Sequence, residues 1–261
     1  MARLLPLLLA GAFVASPAPL HQVGPGIWRP LYPAEGEQQI AVDAFLLEER
    51  PVTNREYAAF VSTHPEWQRG KVPALFSDPG YLSQWESPDS PGDAILDQPV
   101  THVSWWAARS FCEARGKRLP YEREWELAAM ASATKTDASG DPEYLAQILA
   151  WYGKPGGAAL ENAGSGEANA WGVRDLHGMV WEWVEDFQSA LVTADNREDG
   201  AVDLSRFCGA GAVSAEVKED YAAFMRIAFR SSLSGQYTTK NLGFRCAADA
   251  GATESKPPKE K

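Results

Sequence analysis

The most informative segment of this chain is Asn169-Ala-Trp-Gly-Val-Arg-Asp-Leu-His-Gly-Met-Val-Trp-Glu-Trp-Val-Glu-Asp-Phe187, which holds three tryptophans and four carboxylates in nineteen residues. Asp175 and Glu182 are seven residues apart, and Gly178 between them permits the backbone to turn back. Both carboxylates and the intervening carbonyls can then converge on one hard cation, and an oxygen-only ligand set favours calcium. An equally acceptable interpretation is a buried tryptophan-rich turn whose acids accept hydrogen bonds from backbone amides.

The composition around this stretch predicts a folded, loop-rich protein. A chain of 261 residues with 45% hydrophobic and 23% charged residues suits one large globular domain or two small ones. Eighteen prolines, 22 glycines and ten tryptophans indicate a body held by large aromatic anchors rather than by long regular elements. The net charge of -11 argues against nucleic acid or an anionic membrane as partner, because either would require a basic face.

Residues 1–18 have the features of a secretory signal peptide: one cation, an apolar run too short to span a bilayer, and small residues suited to cleavage. The alternative, a packed hydrophobic helix, is disfavoured by Pro6 and Gly11. We therefore expect a periplasmic or secreted protein, where disulfides can persist. No later apolar run approaches membrane-spanning length, so we expect no stable membrane insertion after cleavage.

Five helices are predicted from local start signals, which are a Thr53/Glu56 capping box, Ser104, Pro120, Asp141 followed by Pro142, and the apolar run from Asp220 to about Phe229. Residues 66–98 show no sustained period and read as a long surface excursion that could shape a binding surface. Its expected anchors are Trp67, Phe76, Tyr81 and Trp85. Residues 249–261 are predicted to form a disordered tail.

Four segments together resemble the sulfatase-modifying-factor family of formylglycine-generating enzymes. They are Pro51–Tyr57, Pro99–Trp105 continuing through Gly116–Pro120 and Glu124–Glu126, Asn169–Trp183, and Asn241–Cys246. The segments occur in the family's order and imply one domain over about residues 36–248. The resemblance implies a compact α+β fold, distantly similar to C-type lectins, with little regular secondary structure.

The resemblance also implies a ligand set for one calcium ion. It consists of the side chains of Asp175 and Glu182 and the carbonyls of Gly178 and Val180. The family's other calcium site uses a longer loop, of which only residues 162–166 remain, so that second site is not expected.

Trp181 and Asn241 match residues that line the family's substrate pocket. Judged from the residues alone, a core tryptophan and a turn-capping asparagine are equally acceptable roles.

The three cysteines bear on the chemistry. Cys112 and Cys246 match a structural disulfide of secreted family members. Formylglycine formation in the family depends on two nearby cysteines that hold copper(I), expected here between Ala212 and Asp220, where the sequence has none. Cys208 remains unpaired: it could bind copper together with a His or Met, act as a redox-active thiol, or be a buried unreactive thiol.

A further set of segments resembles the exported NirV-type proteins, which accompany copper nitrite reductase and lack the catalytic cysteine pair; they are His64–Trp67, Leu75–Leu82, Trp183–Leu191, Phe207–Gly211 and Asp220–Arg226. The leading hypothesis is therefore a non-catalytic accessory protein that binds a partner polypeptide. The alternatives are an oxidase acting on a protein cysteine through a variant copper site at Cys208, and a lectin-like module for a small ligand.

Overall fold

The computed structural model describes residues 16–31, 33, 37–153, 159–188 and 218–251. Residues 1–15 of the predicted signal peptide, Cys208, and residues 252–261 of the predicted tail lie outside the described residues. The described chain contains short strands and helices, numbered in chain order: β1 Leu20–Val23, β2 Gly26–Trp28, β3 Ile40–Val42, β4 Phe45–Glu48, α1 Asn54–Thr63, α2 Trp105–Glu113, α3 Glu122–Ala129, α4 Pro142–Tyr152, β5 Trp181–Glu182, α5 Lys218–Ser231, β6 Leu242–Gly243 and β7 Ala247–Asp249.

The strands form three small sheets. β1, β4 and β7 make an antiparallel sheet in that order, β2 pairs antiparallel with β3, and β5 pairs parallel with β6. The first two strands precede residue 36 and belong to these sheets. At the other end β7 includes Asp249, one residue into the predicted tail. Helices and small sheets together confirm the α+β class.

The helix starts follow the predicted caps. The Thr53 hydroxyl accepts the Glu56 N–H at 3.2 Å, while the Glu56 carboxylate accepts the Thr53 N–H at 2.8 Å, which completes the capping box of α1. Ser104 caps α2 by accepting the Ala107 N–H. The helix α5 ends at Ser231, shortly beyond its predicted end at about Phe229.

Two of the four predicted aromatic anchors, Tyr81 and Trp85, hold residues 66–98 from inside, while Trp67 and Phe76 are half-buried. Tyr81 and Trp85 are buried, and the Tyr81 hydroxyl lies 2.7 Å from that of Tyr57 in α1. The Trp85 indole N–H donates to the Asn54 side chain at 2.8 Å. Long irregular backbone is therefore held against α1 by specific buried hydrogen bonds.

Cys112 of α2 and Cys246, just ahead of β7, form a disulfide across 134 residues, which confirms that pairing. The bridge lies in the larger of two buried hydrophobic clusters, with Phe111 and Phe244. Closing so long a loop contributes about 5 kcal/mol by restricting the unfolded chain. The second cluster lies between the β1-β4-β7 sheet and α3. No helix among the described residues is long and apolar enough to cross a membrane.

Candidate functional site

The 169–187 loop is shaped by side chains that hydrogen-bond to backbone. The Asn169 carboxamide oxygen accepts the N–H groups of Trp171 and Val173, and its amide donates to the Ala128 carbonyl in α3 at 2.9 Å. Asparagine suits this role because its side chain imitates a backbone turn. The loop is thereby fixed to the end of α3 before it reaches the predicted ligands.

Asp175 has a left-handed backbone conformation, with φ of 59°. Its carboxylate accepts the N–H groups of Gly164 and Gly166, the latter at 2.9 Å. Amide capping, which the sequence left open as an alternative, therefore describes this residue. The hydrogen bonds stabilise a conformation that a non-glycine residue rarely adopts.

The Glu182 carboxylate has different partners. It forms two hydrogen bonds of 2.8 Å with the Arg245 guanidinium and accepts the indole N–H of Trp125 at 2.8 Å. Both charged side chains are 0% exposed. Arg245 also donates to the carbonyls of Glu48, Glu49 and Arg174, so one buried cation connects β4, the 169–187 loop and the strand region around residue 245.

The predicted calcium ligands suit a hard cation in kind, since all four donors are oxygen. Among the described residues no hydrogen bond ends on the carbonyl of Val180, although this residue is only 2% exposed, so a buried acceptor remains for a cation. Arg245, however, already neutralises Glu182, which leaves Asp175 as the uncompensated carboxylate. No described group of three or more His, Cys, Asp or Glu side chains is arranged to hold a metal. Calcium therefore stays a prediction, with Asp175 as its main charged ligand.

Trp181 and Asn241 are brought together by the pairing of β5 with the segment leading into β6, where the Trp181 N–H donates to the Asn241 carbonyl at 2.8 Å. The Trp181 ring stacks on Phe229 of α5 at 4.5 Å between ring centroids, and it also contacts Trp151 and Tyr152 of α4. The cavity beside it measures about 10 Å³, room for roughly one water molecule. The side chain of Asn241 is exposed, and a substrate-binding role for either residue stays a prediction.

A buried ion network that the sequence analysis missed connects α3 to α5. Arg226 forms hydrogen bonds of 2.7 and 2.8 Å with Glu126, and Arg230 lies 2.7 Å from Glu126 and 3.1 Å from Glu122. Burial alone would raise the pKa of Glu126, but the charges of Arg226 and Arg230 outweigh it and bring that pKa to about 2. Glu122 and Glu126 are four residues apart on α3, and Arg226 and Arg230 are four residues apart on α5, so each pair lies on one helix face. This spacing was the signal in the sequence that could have indicated the network.

His177 lies beside this network and is neutral. Burial and the nearby Arg226 charge lower its pKa to about 4. Its Nε2 lies 2.9 Å from the Ala129 carbonyl, which assigns the proton to that nitrogen. The geometry gives this histidine a hydrogen-bonding role.

Residues 8–250 match the family described as sulfatase-modifying factor enzyme 1-like domain. The chain is 30% identical to "Inactive C-alpha-formylglycine-generating enzyme 2" of Bos taurus, covering 85% of this chain and 82% of that protein. It is 28% identical to "Formylglycine-generating enzyme" of Thermomonospora curvata, covering 94% and 95%, and 30% identical to the protein of that name from Streptomyces coelicolor, covering 85% and 84%.

These relatives include proteins named as formylglycine-generating enzymes and one named as inactive, at nearly equal identity. Similarity across the whole sequence thus leaves activity undecided, whereas the match over residues 8–250 establishes common ancestry of the domain. This chain belongs to the sulfatase-modifying factor enzyme 1-like family.

Proposed function

We propose that this chain is an exported, calcium-stabilised accessory protein that binds a partner polypeptide and does not form formylglycine. The observation that carries the non-catalytic assignment is the number of cysteines. The sequence has three cysteines, and two of them are joined in the Cys112–Cys246 disulfide. Cys208 alone cannot supply the pair of thiolates that holds copper(I) in the family's chemistry.

Export is supported by two independent features. Residues 1–18 have the pattern of a signal peptide, and a disulfide is the kind of crosslink that persists outside the reducing cytoplasm. The resemblance to NirV-type proteins suggests the class of partner, a copper nitrite reductase during its maturation. The protein would then recognise that enzyme's polypeptide and contribute no redox chemistry of its own.

An exposed aromatic surface offers a place for such a partner. We call it the Trp106 patch, and it consists of the exposed side chains of Leu75, Trp106 and Tyr237 together with the half-buried ring of Phe76. Leu75 is 67% exposed, Trp106 38% and Tyr237 44%, while the Phe76 ring lies edge-on to Trp106 at 5.6 Å. Clustered exposed aromatic side chains are typical of protein interaction sites.

The loops that carry the Trp106 patch are held rigidly. The Asp78 N–H donates to the Gln236 carbonyl at 2.9 Å, and the Asp78 carboxylate accepts the Thr238 N–H at 3.0 Å. The Trp105 N–H donates to the Gly235 carbonyl at 3.0 Å. Preorganised aromatic side chains lose little entropy when a partner covers them, which favours affinity.

The non-catalytic assignment is tested with a Cys-x-Pro-x-Arg peptide, copper(I) and oxygen, using mass spectrometry to detect conversion of the cysteine to an aldehyde. We expect no product from this chain, while the Thermomonospora curvata relative serves as the positive control. Aldehyde formation at a rate similar to that of the control would refute the assignment. Product that disappears in Cys208→Ser would instead identify the variant copper site.

Partner binding is tested by titrating purified copper nitrite reductase, with and without its copper, into the wild-type protein. Trp106→Ala should weaken binding at least about tenfold if the Trp106 patch is the interface. Tyr221→Ala is the matched control, because Tyr221 is 43% exposed and lies at the far end of α5. No binding to either enzyme form would refute the proposed partner, and equal losses in the two variants would refute the proposed surface.

A further inference from the structure

We propose that a second cavity, bounded by β2, α3, α4 and α5, binds a small uncharged amphipathic organic molecule. This site is separate from the Trp106 patch and does not rest on the function proposed above. Its volume is about 310 Å³, roughly twice that of the 150 Å³ cavity known to admit benzene. By that scale it accommodates roughly twelve non-hydrogen atoms.

The walls of the cavity are predominantly apolar. The cavity is lined by Met130, which directly follows α3, by Leu145 and Ile148 of α4, by Ile227 of α5 and by Trp28 of β2. These side chains come from four separate parts of the chain, so the cavity depends on the tertiary fold and not on one helix face. Apolar walls with a few convergent polar groups are the usual composition of small-molecule sites.

Each of the four charged residues that line the cavity has a counter-ion: Glu122 pairs with Arg230, Arg29 pairs with Asp137 nearer the surface, and the remaining two pair with each other. Arg226 lines it, and Arg226 is paired with Glu126, which lines it as well. A ligand carboxylate approaching Arg226 would also meet the Glu126 charge, and a ligand ammonium near Glu126 would meet Arg226. Because burying an unpaired charge is costly, the cavity selects against ions of either sign.

Polar groups in the cavity wall remain able to orient a neutral ligand. Besides the buried Nδ1 of His177, which has no hydrogen-bond partner among the described residues, they include two complementary groups. The Tyr144 hydroxyl donates to the Ala129 carbonyl at 2.6 Å, so its oxygen can still accept a hydrogen bond. Arg226 Nη1 has a long contact of 3.4 Å to the Tyr152 hydroxyl, and it can donate to a closer acceptor. A group with both a donor and an acceptor, such as a carboxamide, fits this pair.

The test uses three probes with one ring system and nearly the expected size: indole-3-acetamide, indole-3-acetate and tryptamine. Binding to the full-length protein is measured by calorimetry and by ligand-observed NMR. We expect the amide to bind at least about tenfold more tightly than the carboxylate or the ammonium compound. Absence of amide binding, or equal affinity for the three probes, would overturn the proposal.

The site is located with Ala223→Leu, which places a larger side chain in the cavity wall. Ala146→Leu on the exposed face of α4 is the matched control, since both changes exchange good helix formers. We expect the first variant to lose amide binding and the second to retain it. Should Ala223→Leu fail to show a cooperative thermal transition, Leu145→Phe repeats the test from the opposite wall. Unchanged amide binding in a folded wall variant would refute this location.

Discussion

Replacing Glu182 by glutamine would remove the carboxylate that neutralises Arg245 while keeping nearly the same side-chain shape. Arg245 and Glu182 are both 0% exposed, so water cannot take the place of the lost charge. Glutamine has one oxygen to accept from the guanidinium, and its amide group would point a donor toward other donors. The variant therefore leaves a buried cation without a counter-ion.

The magnitude follows from this burial. Removing one partner of a buried ion pair typically costs about 3–5 kcal/mol. For a domain of this size each kcal/mol lowers the melting temperature by about 2–4 °C, so the expected decrease is roughly 6–20 °C. Urea denaturation followed by tryptophan fluorescence measures the free energy of unfolding, and calorimetry measures the melting temperature.

Glu113→Gln is the matched control, because Glu113 pairs with Arg109 on the surface, with the two side chains 54% and 40% exposed. Exposed pairs contribute at most about 1 kcal/mol, so this variant should unfold nearly as the wild type does. Adding Arg245→Met to Glu182→Gln should recover part of the lost free energy of unfolding, since the buried guanidinium that lacks a counter-ion is then removed. A loss below about 1 kcal/mol in Glu182→Gln would refute the role assigned to this pair.

Three further outcomes are expected. Chelation of calcium should lower the melting temperature, and Asp175→Ala, which removes the main charged ligand, should abolish most of that response; a wild-type melting temperature unchanged by chelator would refute the calcium site. Thiol titration of the native protein should find one thiol, Cys208, and three only after reduction of the Cys112–Cys246 bridge; three thiols without reduction would contradict the disulfide. Acidification from about pH 5 to about pH 2 should destabilise the fold by about 3 kcal/mol through Glu126, whose pKa falls from 4.5 unfolded to about 2 folded, so its stabilisation is complete above the unfolded value and lost below it. Urea titrations at several pH values measure this loss, and Glu126→Gln should lack that part of the pH dependence.

Helix starts were predictable because the signals that fix them are local. A capping box needs residues three apart, as at Thr53 and Glu56, and both of its hydrogen bonds are present. Strand pairing was not predictable in the same way, since β4 pairs on one side with β1 and on the other with β7, some 200 residues later. No short pattern in the sequence encodes such distant partners.

In the candidate site, too, local features were predictable and distant partners were not. The spacing of Asp175 and Glu182 correctly marked a turn, yet the partners of their carboxylates come from elsewhere in the chain. Arg245 is 63 residues beyond Glu182, and Arg226 is 100 residues beyond Glu126. Asp175 and Glu182 stand out in the sequence because they share one short segment, whereas the distant arginine partner of Glu182 does not, because no local spacing relates Arg245 to that segment.

Cysteines have two different roles: a disulfide that stabilises the fold, and a copper-binding pair that the family's chemistry requires. Cys246 is followed by β7 and preceded by Arg245, so its disulfide and the buried Glu182 pair constrain the same few residues of backbone. A copper-binding pair would add nothing to this support, because thiols held ready for a metal and a substrate contribute little to packing. The fold therefore does not depend on such a pair, and a relative named as a formylglycine-generating enzyme and one named as inactive can be equally similar to this chain. For a member of this family, the number and position of thiols outside the structural bridge are a sharper guide to activity than overall identity.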